Sequence, residues 1–136
     1  MTDACQVRRR ITVHCPISGD TLRAVAAGDS AAMERDPTVA PLLAFITSCP
    51  ELGDFGTYEG VCEITLGLEV FKPKSGAAPT VGEIGQRTYL PMAMLSTYLA
   101  PATPAARADA ILGELARRHP WELPVIEVTD VTLYLP

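Results

Sequence analysis

Between residues 8 and 16 the side chains alternate. Ile11, Val13 and Cys15 fall on one side, and Arg10, Thr12 and His14 on the other. Period two predicts a half-buried strand, ended by Pro16. From residue 20 the spacing changes: Leu22, Val25 and Ala26 share one face of a helix predicted over residues 20–35, interrupted near Gly28 and broken at Asp36-Pro37. Pro41 opens a further short helix over residues 42–46, and a glycine-rich, acidic loop occupies residues 50–60. Residues 61–71 alternate again, with Cys62, Ile64, Leu66, Leu68 and Val70 on one face and Glu63, Thr65, Gly67 and Glu69 on the other. A loop or hairpin tip over residues 72–86 leads to a third strand, 88–100. Leu90, Met92, Met94 and Tyr98 line one of its faces, and Ala93, Leu95 and Leu99 the other. Thr103 as N-cap and Pro104 as first helical residue predict a helix to Arg118, with Ala108, Ile111, Leu112 and Leu115 inward and Glu114 four residues before Arg118. Pro120 stops it, and residues 125–135 form the last strand.

The order is β-α-β-β-α-β. It predicts an α+β, ferredoxin-like split βαβ fold: an antiparallel sheet with helices on one face. The third strand is central in that topology and apolar on both sides. Self-association through the open sheet face is therefore expected. At 136 residues the chain makes a single domain over 1–136, with an N-terminal tail over residues 1–7.

Composition narrows the function classes. A net charge of −5 leaves no basic face for nucleic acid, and Arg8-Arg9-Arg10 reads as a solvated strand start. No run nears the ~20 apolar residues of a membrane-spanning helix, and the N-terminus has no signal-peptide core, so a cytoplasmic protein without a membrane partner is expected. The four cysteines are scattered, with no zinc spacing, and read as reduced thiols.

Two stretches stand out as candidate chemistry. One is Phe71-Lys72-Pro73 followed by Pro79-Thr80-Val81-Gly82-Glu83-Ile84-Gly85; the other is His119-Pro120-Trp121-Glu122-Leu123-Pro124. Gly82, Glu83 and Gly85 can present backbone N–H groups to an anion, or simply form a tight turn needing positive φ. His119 can hold a metal or phosphate, or cap the preceding helix before Pro120 turns the chain. Trp121 reads as a packing anchor, largely buried, and Glu122 lies beside it. If the two stretches form one site, His119 and Glu122 lie near the Gly82–Gly85 turn. Cys62 paired with His119 is a weaker soft-metal candidate, since Cys62 on an apolar face reads as a small buried residue. No nucleophile–base pairing or Gly-x-Ser-x-Gly elbow is visible.

These motifs resemble those of the PII-like domain inserted in proteins of the NGG-one-interacting-factor-three family, a domain related in fold to CutA and PII proteins. The family pattern is Gly-x-Tyr, a cysteine, Phe-Arg-Pro, Pro-x-x-Gly-Glu-x-Gly and His-Pro-Tyr-Glu-x-Pro. Here it reads Gly56-Thr57-Tyr58, Cys62, Phe71-Lys72-Pro73, Pro79 to Gly85, and His119 to Pro124, within roughly residues 53–130. The loop from Tyr58 to Cys62 is one residue longer, residues 89–94 lack the family's acidic side chains, and residues 28–52 read as an insertion. The resemblance implies a non-catalytic, oligomeric ligand-sensing or regulatory module, a homotrimer rather than a dimer. Its ligand-binding residues would be Gly82, Glu83, Gly85, His119, Trp121 and Glu122, and its ligand and any cofactor are unknown. Two alternatives stay open. One is a divalent-metal, copper-type binding or tolerance protein; the other is a small enzyme at a subunit interface using His119 and Glu122.

Overall fold

The computed structural model describes residues 4–136. The strands are β1 (Cys5–Pro16), β2 (Glu63–Phe71), β3 (Thr88–Leu99) and β4 (Val125–Tyr134). The helices are α1 (Gly19–Ala26), α2 (Val39–Ser48) and α3 (Ala105–Arg118), with a 3-10 turn at Ser30–Arg35. The sheet has the order β2-β3-β1-β4, with every neighbour antiparallel. That is the ferredoxin-like arrangement the sequence predicts.

Several boundaries differ from expectation, each for a local reason. The strand begins at Cys5 rather than residue 8, because Cys5, Gln6 and Val7 pair with Tyr134, Leu133 and Thr132. Of the expected tail, residues 1–3 lie outside the described residues. The 20–35 helix is interrupted near Gly28 as expected, but its second piece is not α: α1 stops at Ala26, and Gly28 (φ 102°) turns the chain into the 3-10 segment. Thr103 is not the cap of α3. Its hydroxyl donates back to the Ala100 carbonyl (2.8 Å), and Pro104 holds the cap position.

Asp36, at the break before Pro37, is a buried hub. Its carboxylate accepts from the backbone N–H groups of Ser18 (3.1 Å), Thr38 (3.0 Å) and Val39 (3.3 Å), and from the hydroxyls of Thr21 (2.6 Å) and Thr38 (2.7 Å). It thereby fixes the starts of α1 and α2. Residues 28–52 are part of the core, since Met33, Val39, Leu42, Ile46 and Leu52 are buried in it.

That core lies between the helices and one sheet face. Ile11, Val13 and Cys15 on β1 and Ala93, Leu95 and Leu99 on β3 all point into it. The opposite face is more closed and more polar than a bare apolar β3 would be. Tyr98 packs edge-on to Phe55 (centroids 5.7 Å), and Arg8 stacks on the same ring (4.5 Å) while donating to the Asp54 carbonyl (2.7 Å). Arg8 is thus buried, not solvated. Met94 reaches over Gly67, where an added Cβ would stand 3.1 Å from its Cε. Thr12 bonds Ser96 (2.9 Å), and His14 bonds Glu127 (2.8 Å).

The exposed apolar surface is elsewhere. Ile64, Leu66, Leu68 and Val70 share the helix side of the sheet with their partners Leu95, Ala93, Pro91 and Tyr89, but none belongs to the core. Leu68 is 71% and Val70 55% exposed. This exposed apolar strip along the edge strand β2 thus lies on the helix side of the sheet, not on the open face where association is expected.

Candidate functional site

The two motifs meet at one end of the sheet, where β2 ends and β4 begins. The Phe71 and Trp121 rings lie 6.0 Å apart at a tilt of 58°. The 72–86 loop folds back over the turn before β4: the Ala78 N–H donates to Glu122 Oε2 (3.1 Å), and the Thr80 hydroxyl donates to the Pro120 carbonyl (3.1 Å). Between them lies a cleft of about 290 Å³. Phe71, Pro79, Trp121 and Leu123 form much of its wall, with the carboxylates of Glu69 and Glu122 as its charged groups. No lysine, arginine or histidine lines it.

His119 sits behind this wall. It is 7% exposed, and its two ring nitrogens are engaged within the chain. Nε2 meets the His14 carbonyl at 2.6 Å, and Nδ1 meets the Trp121 backbone N–H at 3.1 Å. A carbonyl can only accept and an N–H can only donate, so Nε2 carries the proton and Nδ1 is the acceptor. Burial lowers the pKa of His119. The bond to the His14 carbonyl and the charge of Glu69 oppose that shift, and the neighbouring His14 ring adds to it. The residue closes α3 with extended geometry (ψ 138°), as Pro120 after it requires. Its backbone N–H caps α3 through the Ala116 carbonyl (3.3 Å), while its ring ties the turn to β1.

Trp121 is half-buried rather than largely buried, because one face opens onto the cleft. Its ring is also edge-on to His119 at 5.5 Å. Gly82, Glu83 and Gly85 stand outside the cleft lining. They form the expected turn, with φ of 92° at Gly82 and 81° at Gly85, and the Gln86 N–H donates to the Glu83 carbonyl (3.0 Å). Gly82 backs Phe71, since an added Cβ would lie 3.4 Å from that ring and 2.9 Å from Thr88 Oγ1. Gly85 donates to the Pro73 carbonyl (2.8 Å). The turn therefore shapes the wall from behind, and Trp121 and Glu122 line the cleft itself.

Sequence reasoning missed Glu69, Leu123 and Val125 as cleft residues. A signal for Glu69 was present, because it shares a strand face with Phe71 two positions on. Cys62 and His119 are not brought together in one chain. Cys62 precedes β2 at its far end, roughly 30 Å of strand from Phe71. Burial, with the Glu63 charge adding to it, pushes the Cys62 thiol up to about 11. Among the described residues no group of three or more His, Cys, Asp or Glu is placed to hold a metal ion. None of their helices is long and apolar enough to cross a membrane.

No protein-family model matches the chain, and no curated protein matches its sequence. Its fold is similar to that of a Bacillus cereus protein related to NIF3, with a TM-score of 0.58 and 15% identity over 93% of this chain. The chain corresponds to only about a quarter of that protein (26%). CutA from Synechococcus elongatus PCC7942 aligns with a TM-score of 0.46 and 15% identity, over 98% of this chain and 89% of its own. The first likeness shows the fold, and it falls in the family whose motifs residues 53–130 resemble.

Proposed function

We propose that this chain is a non-catalytic, ligand-sensing or regulatory module that works as a homo-oligomer, a trimer rather than a dimer, and takes its ligand in the cleft between the 71–81 segment and the 119–125 turn. One observation carries the reading. Two motifs some 40 residues apart in sequence are joined by the Ala78–Glu122 and Thr80–Pro120 bonds around a single aromatic-walled cleft. Wells of this kind, apolar with a few convergent polar groups, are where small ligands bind. The oligomeric part rests on the β2 strip, since a row of exposed Leu68, Val70 and Tyr89 beside an open strand edge is an association surface.

A thermal-shift screen with nucleotides, divalent metals, organic acids and amines tests the ligand part. Binding to the folded state raises the melting temperature. The expected result is a concentration-dependent rise that Leu123→Arg, which crowds the cleft mouth from an exposed position, removes. Hits whose shifts survive Leu123→Arg would move the site elsewhere, and a screen with no hit would end the reading.

A further inference from the structure

Within that reading, on which it rests, the geometry points to a small organic ammonium ion as the class of ligand the cleft takes. The lining combines two aromatic residues with two acidic ones and no basic side chain. Phe71 and Trp121 are 6.0 Å apart and tilted by 58°, so they form two walls of a corner rather than a closed stack. Rings this close touch, so a cation sits not between them but in the cleft they wall, where aromatic side chains attract it, tryptophan giving the strongest case. Glu69 lines the cleft from the strand, and Glu122 from the turn. Glu122 has one oxygen committed to the Ala78 N–H, which fixes the carboxylate and leaves Oε1 for a ligand. Pro73, Pro79 and Leu123 make the remaining surface apolar, suited to methyl or methylene groups rather than to a hydrated metal ion.

Anionic ligands are disfavoured on the same grounds. A phosphate or carboxylate would face Glu69 and Glu122 with no lysine, arginine or histidine on the lining. The anion-binding alternative for the Gly82–Gly85 turn fails here too, because that turn stands behind Phe71 rather than in the cleft. A neutral apolar molecule would fit the walls but leave both carboxylates without a partner. The chain's net charge of −5 adds a long-range field of the same sign as the cleft.

The test compares choline with its uncharged isostere 3,3-dimethylbutan-1-ol, and butylammonium with butanol. Binding is read from the emission of Trp121, the only tryptophan. Titrations are run at pH 8 on the full chain. The expected result is saturable change with choline or butylammonium, at least about fivefold tighter than with the neutral partner. Glu69→Gln and Glu122→Gln should each weaken the cations and leave the alcohols unchanged. Glutamine at 122 still offers an oxygen to the Ala78 N–H, and circular dichroism checks that each variant is folded. Equal affinity for cation and isostere overturns the inference while leaving a ligand cleft standing. No response to any of the four compounds also overturns it, and the wider screen then decides whether the cleft binds anything.

Discussion

The backbone N–H of Trp121 donates to Nδ1 of His119 at 3.1 Å, and the opposite nitrogen of that ring donates to the His14 carbonyl. One buried imidazole thus ties the cleft's tryptophan to the central strand β1. The bond requires His119 to be neutral, because a protonated ring has no acceptor to offer.

Acid should therefore loosen the Trp121 wall. The folded-state pKa of His119 is lowered below its ordinary 6.5, with burial the main cause. The unfolded chain then binds the proton more readily, so this contribution is full above pH 6.5 and is lost as pH falls from there toward the folded pKa. Melting temperature and Trp121 emission, followed from pH 8 to pH 5, should fall together in the wild type. His119→Ala should abolish the pH dependence and cost about 2–3 kcal/mol, because it leaves the His14 carbonyl and the Trp121 N–H unpaired. Urea unfolding at pH 8 measures that cost; a loss within ~0.5 kcal/mol would mean the two bonds are not formed in solution.

Asp36 gives a second, separate acid response. Burial opposes its ionisation, but bonds from Thr21, Ser18 and Thr38 outweigh this and bring its pKa to about 2 from 3.8. A depressed carboxylate stabilises above the unfolded pKa. Its contribution, about 2 kcal/mol, should disappear as pH falls from roughly 4 to 2. Asp36→Asn should remove that step and lower stability even at pH 7, since an amide cannot accept from all five donors.

If the β2 strip is the association surface proposed, substitutions there separate assembly from folding. Leu68→Asp should leave the monomer's circular dichroism intact while dissociating the oligomer, as the side chain is outside the core. Leu95→Asp, on the partnered strand but fully buried, should unfold the chain, because an unpaired buried carboxylate costs several kcal/mol, roughly. Sedimentation at micromolar concentration reads both. A wild-type monomer would contradict the oligomeric reading.

The glycine turn offers a graded comparison. Gly82 and Gly85 both have positive φ, so alanine strains either by about 1 kcal/mol. At Gly82 the new Cβ also meets Thr88 Oγ1 and Phe71, whereas nothing lies within 4 Å of it at Gly85. Gly82→Ala should therefore cost more and shift Trp121 emission through Phe71, while Gly85→Ala should not shift it. Equal effects would mean that Gly82 does not support the wall.

Much of this fold was legible because period-two and period-3.6 patterns report which side chains share a face. Ile11, Val13 and Cys15 were placed correctly for that reason. The same alternation located β2, but a pattern does not say whether anything covers the apolar face; there the core ends at β3. The interruption near Gly28 was readable from the glycine; that the second piece, Ser30–Arg35, is 3-10 rather than α was not. The architectural role of the His119 motif was readable from its two prolines. The partner of His119 was not, since it is a backbone carbonyl 105 residues earlier. Trp121 and Glu122 were recognised as candidates from their motif, but their companions Glu69 and Leu123 come together only through the folded-back loop.

The central claim is that the cleft walled by Phe71 and Trp121 is a ligand site. Amide and indole chemical-shift mapping of isotopically labelled protein, titrated with choline, tests it most directly. The account predicts saturable shifts at the Trp121 indole and at the amides of Ala78, Thr80 and Glu122, with β1 near Arg8 and Arg9 unmoved. Shifts confined to residues outside the 69–81 and 119–125 segments, or none at millimolar choline, would contradict it.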